Sequence, residues 1–246
     1  MFQILGKNPS PEKLRVFHSL LFPGILVWLM FAVRLVEELE GWNLVFLGVK
    51  PLSVEGLPGI ILSPFIHSNW QHLFNNAVSF FILASTLFYF YRQIAYKVFF
   101  TLYLVGGAWL WFGGREAWHV GASGWVYGLT AFLFISGLIR KHIPLMAVAL
   151  FVIFLYGSLV WGMFPLAENL PHSWEGHLWG FLAGLVAAVI YRHQGPQKPE
   201  PPEDDFLEEE EDEKDAYWNT EPNEEGQPKK EEQKEEKNSF WNSITT

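Results

Sequence analysis

Six apolar blocks of near-bilayer length dominate this sequence, at roughly residues 16–36, 71–91, 95–113, 123–139, 144–164 and 174–191. A helix crosses a hydrocarbon core of about 30 Å with about 20 such residues. Backbone exposed to lipid must satisfy its hydrogen bonds internally, and no alternating ten-residue pattern marks a barrel, so the blocks predict helices. The chain reads as an all-α membrane protein, a bundle of six transmembrane helices.

The polar connectors set an orientation. The formal charge of −9 belongs to the end of the chain, because 18 of the 26 acidic residues lie from residue 197 onward. The first 196 residues carry 11 basic and 8 acidic side chains. With the N-terminus cytoplasmic, Lys7, Lys13, Arg15, Arg92, Lys97, Arg140, Lys141 and Arg192 fall inside, against Arg34, Lys50 and Arg115 outside. Both termini are then cytoplasmic, and Arg34 is placed to pair with Glu37 and Glu38. No cleavable signal is evident before the first block, which is expected to act as its own targeting signal. Cysteine is absent, which excludes disulfide and thiolate chemistry.

Two segments are not spans. Residues 41–69 are interrupted by Pro51, Pro58 and Pro64 and by Gly48, Gly56 and Gly59, yet hold enough apolar residues to lie at the outer membrane surface. Residues 1–195 form the membrane domain. Residues 196–246, with an unbroken acidic run from Glu208 to Glu213, bury too little apolar surface to order themselves and are expected to be a disordered cytoplasmic tail. Tyr217-Trp218-Asn219-Thr220 and Phe240-Trp241-Asn242-Ser243 in that tail are similar tetrads, readable as docking motifs or as chance aromatics.

Hydrogen-bonding side chains converge at one depth. The second, fourth and sixth spans all run from outside to inside. They open with Gln71-His72-Leu73-Phe74-Asn75-Asn76, with Ser123 of Gly121-Ala122-Ser123-Gly124, and with Glu175-Gly176-His177. His72 and Asn76 share a helix face, as do Ser123 and Tyr127. His177, Gly180 and Gly184 line a face on which missing side chains permit close approach to Gly124 and Gly128. A serine hydroxyl becomes a nucleophile when a base within about 2.6–3.2 Å takes its proton, and histidine has the suitable pKa. The Asn76 amide, a His72 ring N–H and the Ser123 backbone N–H are candidate donors to an oxyanion. Each residue also has a packing account: Ser123 as a helix cap, His72 and Asn76 as interhelical hydrogen bonds, His177 bonded to a carbonyl. Glu175, two residues before His177, is poorly placed to orient it, so a dyad without an acidic third member is expected.

These residues resemble the rhomboid intramembrane serine proteases. The matching signatures are His67-x4-His72-x3-Asn76, Gly121-x-Ser123-Gly124 with Tyr127, and His177-x2-Gly180-x3-Gly184, over roughly residues 14–192. The resemblance implies Ser123 as nucleophile, His177 as general base, His72, Asn76 and the Ser123 N–H as the oxyanion hole, and Tyr127 packed beside the histidine, with Gly180 and His67 supporting. It implies cleavage of transmembrane protein substrates within the bilayer, near its outer face, with no metal or cofactor and no nucleic acid. Residues 41–69 would be the family's surface-embedded first loop, and the fifth span with Ala167–Ser173 its gate and cap. Where many members carry Trp-Arg in that loop, Trp42 is here followed by Asn43. The multi-pass topology without a presequence fits a bacterial plasma membrane, and the tail would meet a cytoplasmic partner. Alternatives are an inactive rhomboid-like protein that captures membrane helices, and a transporter; against the latter, the span interiors lack Asp, Glu and Lys.

Overall fold

The computed structural model describes residues 10–156, 162–164 and 173–198, all within one compact unit. The cytoplasmic tail expected from residue 196 lies, beyond Lys198, outside the described residues, as do both aromatic tetrads. The described residues form seven α-helices: α1 Pro11–Glu40, α2 Gly59–Leu62, α3 Trp70–Phe90, α4 Ala95–Gly113, α5 Ser123–Arg140, α6 Ile143–Tyr156 and α7 Trp174–Ile190. Four of them, α1, α3, α4 and α5, are long and apolar enough to cross a membrane, while α6 and α7 are shorter apolar helices. The chain is thus an all-helical membrane protein among the described residues. Leu39, Trp28, Phe112, Leu150 and Phe154 are among the large apolar side chains left exposed on its outside, as expected where the solvent is hydrocarbon.

Local chemistry sets the helix ends. Ser10 caps α1 by accepting from the Lys13 N–H, Pro11 occupies the first turn, and Gly41 closes the helix at φ 68° with its N–H on the Glu37 carbonyl. The first apolar block is therefore a longer helix than residues 16–36. Arg34 pairs with Glu37 at 3.4 Å and Glu38 at 2.9 Å, as the sequence suggested. Glu37 in turn accepts from the Leu44 N–H at 3.1 Å, so one buried carboxylate ties the helix to the loop that follows. Asn43 caps the short 3-10 turn Leu44–Leu47 by accepting from the Val45 N–H at 3.1 Å, a local use for the residue that follows Trp42.

Residues 41–69 fold into short helical turns pinned to α4 and to the segment before α5. Leu52 N–H donates to the Trp111 carbonyl and Trp111 Nε1 to the Ser53 carbonyl. Tyr103 donates to the Ile61 carbonyl. Val49 and His119 exchange both backbone hydrogen bonds, at 2.9 and 2.8 Å. In this way the loop's polar backbone is satisfied by protein rather than water.

The core lies between α3, α4, α5 and α7. Phe80, Phe99 and Trp125 meet with ring centroids 5.1–6.2 Å apart, and α5 and α7 press together most closely. A Cβ on Gly180 would sit 2.2 Å from the Gly124 carbonyl oxygen, and one on Gly184 2.2 Å from that of Gly128. Their far ends are joined by Arg140, a buried cation whose guanidinium donates to Ser136 Oγ and to the carbonyls of Tyr191, Arg192 and Pro196 at 2.8–3.1 Å. Those carbonyls lie at and beyond the C-terminal end of α7, where the helix leaves its acceptors unused.

Gly184→Val places branched carbon against the α5 backbone and is expected to destabilise the fold by about 3 kcal/mol in denaturant-titrated unfolding. Val189→Ala, on an exposed side of the same helix, should change it by less than about 0.5 kcal/mol.

Candidate active site

The residues singled out in the sequence come from three helix starts and one loop. Asn69 caps α3 by accepting from the His72 N–H at 2.8 Å, which fixes the first turn carrying His72 and, one turn later, Asn76. Ser68 Oγ lies 3.2 Å from His72 Nδ1. Gly121 stands at φ 107°, in a region open to glycine. A Cβ there would meet His72 Nε2 at 2.9 Å and Asn76 Nδ2 at 3.2 Å. The backbone just before Ser123 therefore runs against the His72 and Asn76 side chains. The Asn76 Nδ2 is buried and has no hydrogen-bond partner among the described residues. Ser123 is the first residue of α5, where a helix leaves its leading N–H groups without intrahelical acceptors.

His67 shapes the same backbone. Its Nε2 accepts from the Ala122 N–H at 3.4 Å, and its ring is 5.1 Å from that of His72. Acceptance requires a neutral ring. Burial, reinforced by the neighbouring His72, pushes the His67 pKa down to about 3.

On α7, the His177 ring stacks on Tyr127 with centroids 4.2 Å apart and planes 7° from parallel. Its Nδ1 is 2.8 Å from the Gly162 carbonyl oxygen. A carbonyl can only accept, so Nδ1 carries the hydrogen and Nε2 is the basic nitrogen. Because Tyr127 lies one turn beyond Ser123 on the same face of α5, the stacked ring sits at the serine's end of that helix.

The start of α7 is held by residues that sequence reasoning passed over. His119 Nε2 is 3.0 Å from the Arg115 carbonyl, so it donates there, and Nδ1 accepts from Ser173 Oγ at 2.6 Å. Ser173 caps α7 by accepting from the Gly176 N–H at 3.0 Å. The hydrogen-bond chain thus runs from the loop before α5 to the residue before His177. Burial lowers the His119 pKa, which keeps this acceptor neutral. Glu175 is buried and faces Arg115 at 3.5 Å, away from any role in orienting His177. A serine preceding an apolar helical run was the available signal for Ser173; nothing in the sequence marked Gly162 or His119. Of the expected cap, Ala167–Ser173, only Ser173 is among the described residues.

A cavity of about 40 Å³ lies beside these elements, lined among others by Gly121, Gly124, Gly176, Gly180, His119 and Ser173. It exceeds the space of about 10–15 Å³ that a water needs, and it offers polar partners.

Comparison with known proteins is decisive at the level of family, for a rhomboid domain model matches residues 55–194. The chain belongs to the rhomboid family. Relatives include the uncharacterized protein Rv1337 of Mycobacterium tuberculosis, 33% identical over 67% of this chain and 71% of its own length. The uncharacterized protein Mb1372 of Mycobacterium bovis has the same figures of 33%, 67% and 71%. The uncharacterized protein ML1171 of Mycobacterium leprae is 30% identical over 66% of this chain and 67% of its own length. Rhomboid proteins are in general intramembrane serine proteases.

A neutral buried His67 makes the rhomboid fold sensitive to acid. The unfolded chain binds a proton below the ordinary value of 6.5 while the folded chain does not until about 3. Stability is therefore full above 6.5 and lost as pH falls, by about 1.4 kcal/mol per pH unit from this residue. Thermal unfolding in detergent across that interval is expected to show this slope, and His67→Gln to flatten it.

Proposed function

We propose that this rhomboid protein is an intramembrane serine endopeptidase, hydrolysing peptide bonds in or near the transmembrane segments of other membrane proteins through an acyl-enzyme. What carries the reading is the state of His177: Nδ1–H is committed to the Gly162 carbonyl, so the basic lone pair is on Nε2, on a ring fixed against Tyr127.

In the mechanism, Ser123 Oγ attacks the scissile carbonyl carbon as His177 Nε2 takes its proton. The carbonyl oxygen becomes an oxyanion and is met by the Asn76 Nδ2, His72 and the Ser123 backbone N–H. Collapse breaks the C–N bond, and the His177 proton passes to the departing amine. Water then attacks the acyl-Ser123 ester with His177 again as base, releasing the acid and restoring the serine. Asn76 suits the oxyanion role because its buried amide lacks an acceptor among the described residues, a cost that an oxyanion would offset. Gly180 supports the site by admitting the α5 backbone, and His67 by holding the Ala122 N–H. The cavity beside Gly121 and Gly124 offers a supply of water within an apolar protein.

The accompanying topology has six spans, α6 and α7 completing the four longer helices. Residues 1–195 form the membrane domain and 196–246 a cytoplasmic tail free to engage a partner. Both termini are cytoplasmic, with the site toward the outer face of a bacterial plasma membrane, supported by the unequal distribution of basic residues. The substrates are transmembrane proteins.

Purified protein incubated with a transmembrane substrate is expected to cleave it, and Ser123→Ala and His177→Ala to abolish cleavage. Asn76→Ala should lower kcat by about 100- to 1,000-fold. Equal cleavage by all variants would overturn the proposal, and failure of a fluorophosphonate to label Ser123 in active-site-intact protein would favour a helix-capturing, non-catalytic protein.

A further inference from the structure

At the membrane face opposite the candidate site, a second cavity opens between α1, α3 and α4. It holds about 360 Å³ and is lined by Arg15, His18, Leu21, Phe22, Ile25, Phe88, Arg92 and Tyr96, a size in the range of small-molecule sites, about 300–1,000 Å³. From His72 on the first turn of α3 to Phe88 near its end is about 25 Å of helix, so the two sites are separate.

The lining is sorted by depth. Arg15, His18, Leu21, Phe22 and Ile25 recur at helical spacing on one face of α1, and the cations come first. Ten residues separate Arg15 from Ile25, about 15 Å of helix, or half of a hydrocarbon core of about 30 Å. The groove therefore runs the depth of one leaflet, with arginines at its mouth and apolar walls below. Phe22 forms the floor, its ring 5.1 Å from Phe88 and 5.3 Å from Tyr96.

The cations at the mouth have donors to spare. Arg15 commits Nε and Nη2 to the Tyr89 carbonyl, at 3.2 and 3.0 Å. This holds the guanidinium 4.5 Å over the Tyr89 ring and leaves Nη1 uncommitted among the described residues. Exposed Arg92 makes no ion pair or hydrogen bond among the described residues. The nearby acid, Glu12, already accepts from the Tyr89 hydroxyl at 3.0 Å, and no carboxylate lines the groove.

We propose that this groove binds an anionic glycerophospholipid of the adjoining leaflet, its phosphate between Arg15 and Arg92 and an acyl chain along Leu21, Phe22, Ile25, Phe88 and Tyr96. A soluble anion would leave the apolar walls unused. A zwitterionic lipid would bring an ammonium group to a groove with no carboxylate in its lining. Arg15 is pre-positioned by Tyr89, so little side-chain entropy is lost when a phosphate arrives.

The test uses full-length, delipidated protein in detergent, with lipid adducts counted by native mass spectrometry. Phosphatidylglycerol is expected to bind at least about fivefold more tightly than phosphatidylcholine, from the contribution of one surface arginine. Arg92→Gln should reduce that preference by about fivefold while leaving lipid-free thermal stability unchanged, because exposed Arg92 makes no hydrogen bond or ion pair among the described residues. Lys141→Gln, a cation outside the groove, should bind as wild type. Equal binding of the two lipids, wild-type behaviour of Arg92→Gln, or an equal loss in Lys141→Gln would each overturn the proposal. So would full displacement of phosphatidylglycerol by inorganic phosphate at the same concentration, which would mark a headgroup-sized anion site.

Discussion

The close approach of α5 and α7 is the constraint on which the candidate site depends. Two glycines of α7 abut carbonyls of α5, so the helices touch through backbone where most pairs touch through side chains. In lipid, apolar side chains gain little by leaving one hydrocarbon environment for another. Association therefore rests on van der Waals fit and polar contacts. The Gly124–Gly180 and Gly128–Gly184 contacts supply the fit along the shared face, and Arg140 closes the pair at one end with hydrogen bonds to otherwise unused carbonyls. At the other end the chain from Arg115 through His119 and Ser173 to Gly176 does the same.

Polar groups are concentrated where the helices end, and several are tied to a carbonyl, a cap or a charge. His67 and His119 are neutral acceptors because they are buried, and in that state they orient backbone N–H groups or a serine hydroxyl. The Asn76 Nδ2 is among the buried polar atoms that are not so tied. A buried donor left without an acceptor among the described residues lowers stability, which is consistent with the proposed role of Asn76 as a donor to an oxyanion.

Much of this was legible in sequence. The apolar blocks gave the helices nearly residue by residue for α3, α4, α5 and α7, because hydropathy and length decide a span. The Arg34 pairing with Glu37 and Glu38 followed from one-turn spacing. The extension of α1 past residue 36 did not, since the helix continues through polar residues whose charges pair with one another. The fold of residues 41–69 was also hidden. Its turns are held by Trp111, Tyr103 and His119, contacts between positions far apart in the chain.

The sequence alone determined that this is a helical membrane protein and which polar residues share a face of each helix, because these follow from local spacing and composition. The tertiary structure decided which nitrogen of His177 is basic, that its ring lies on Tyr127, and that His119 reaches Ser173. Each of these is a contact of directional groups across the bundle, at separations where periodicity carries no information.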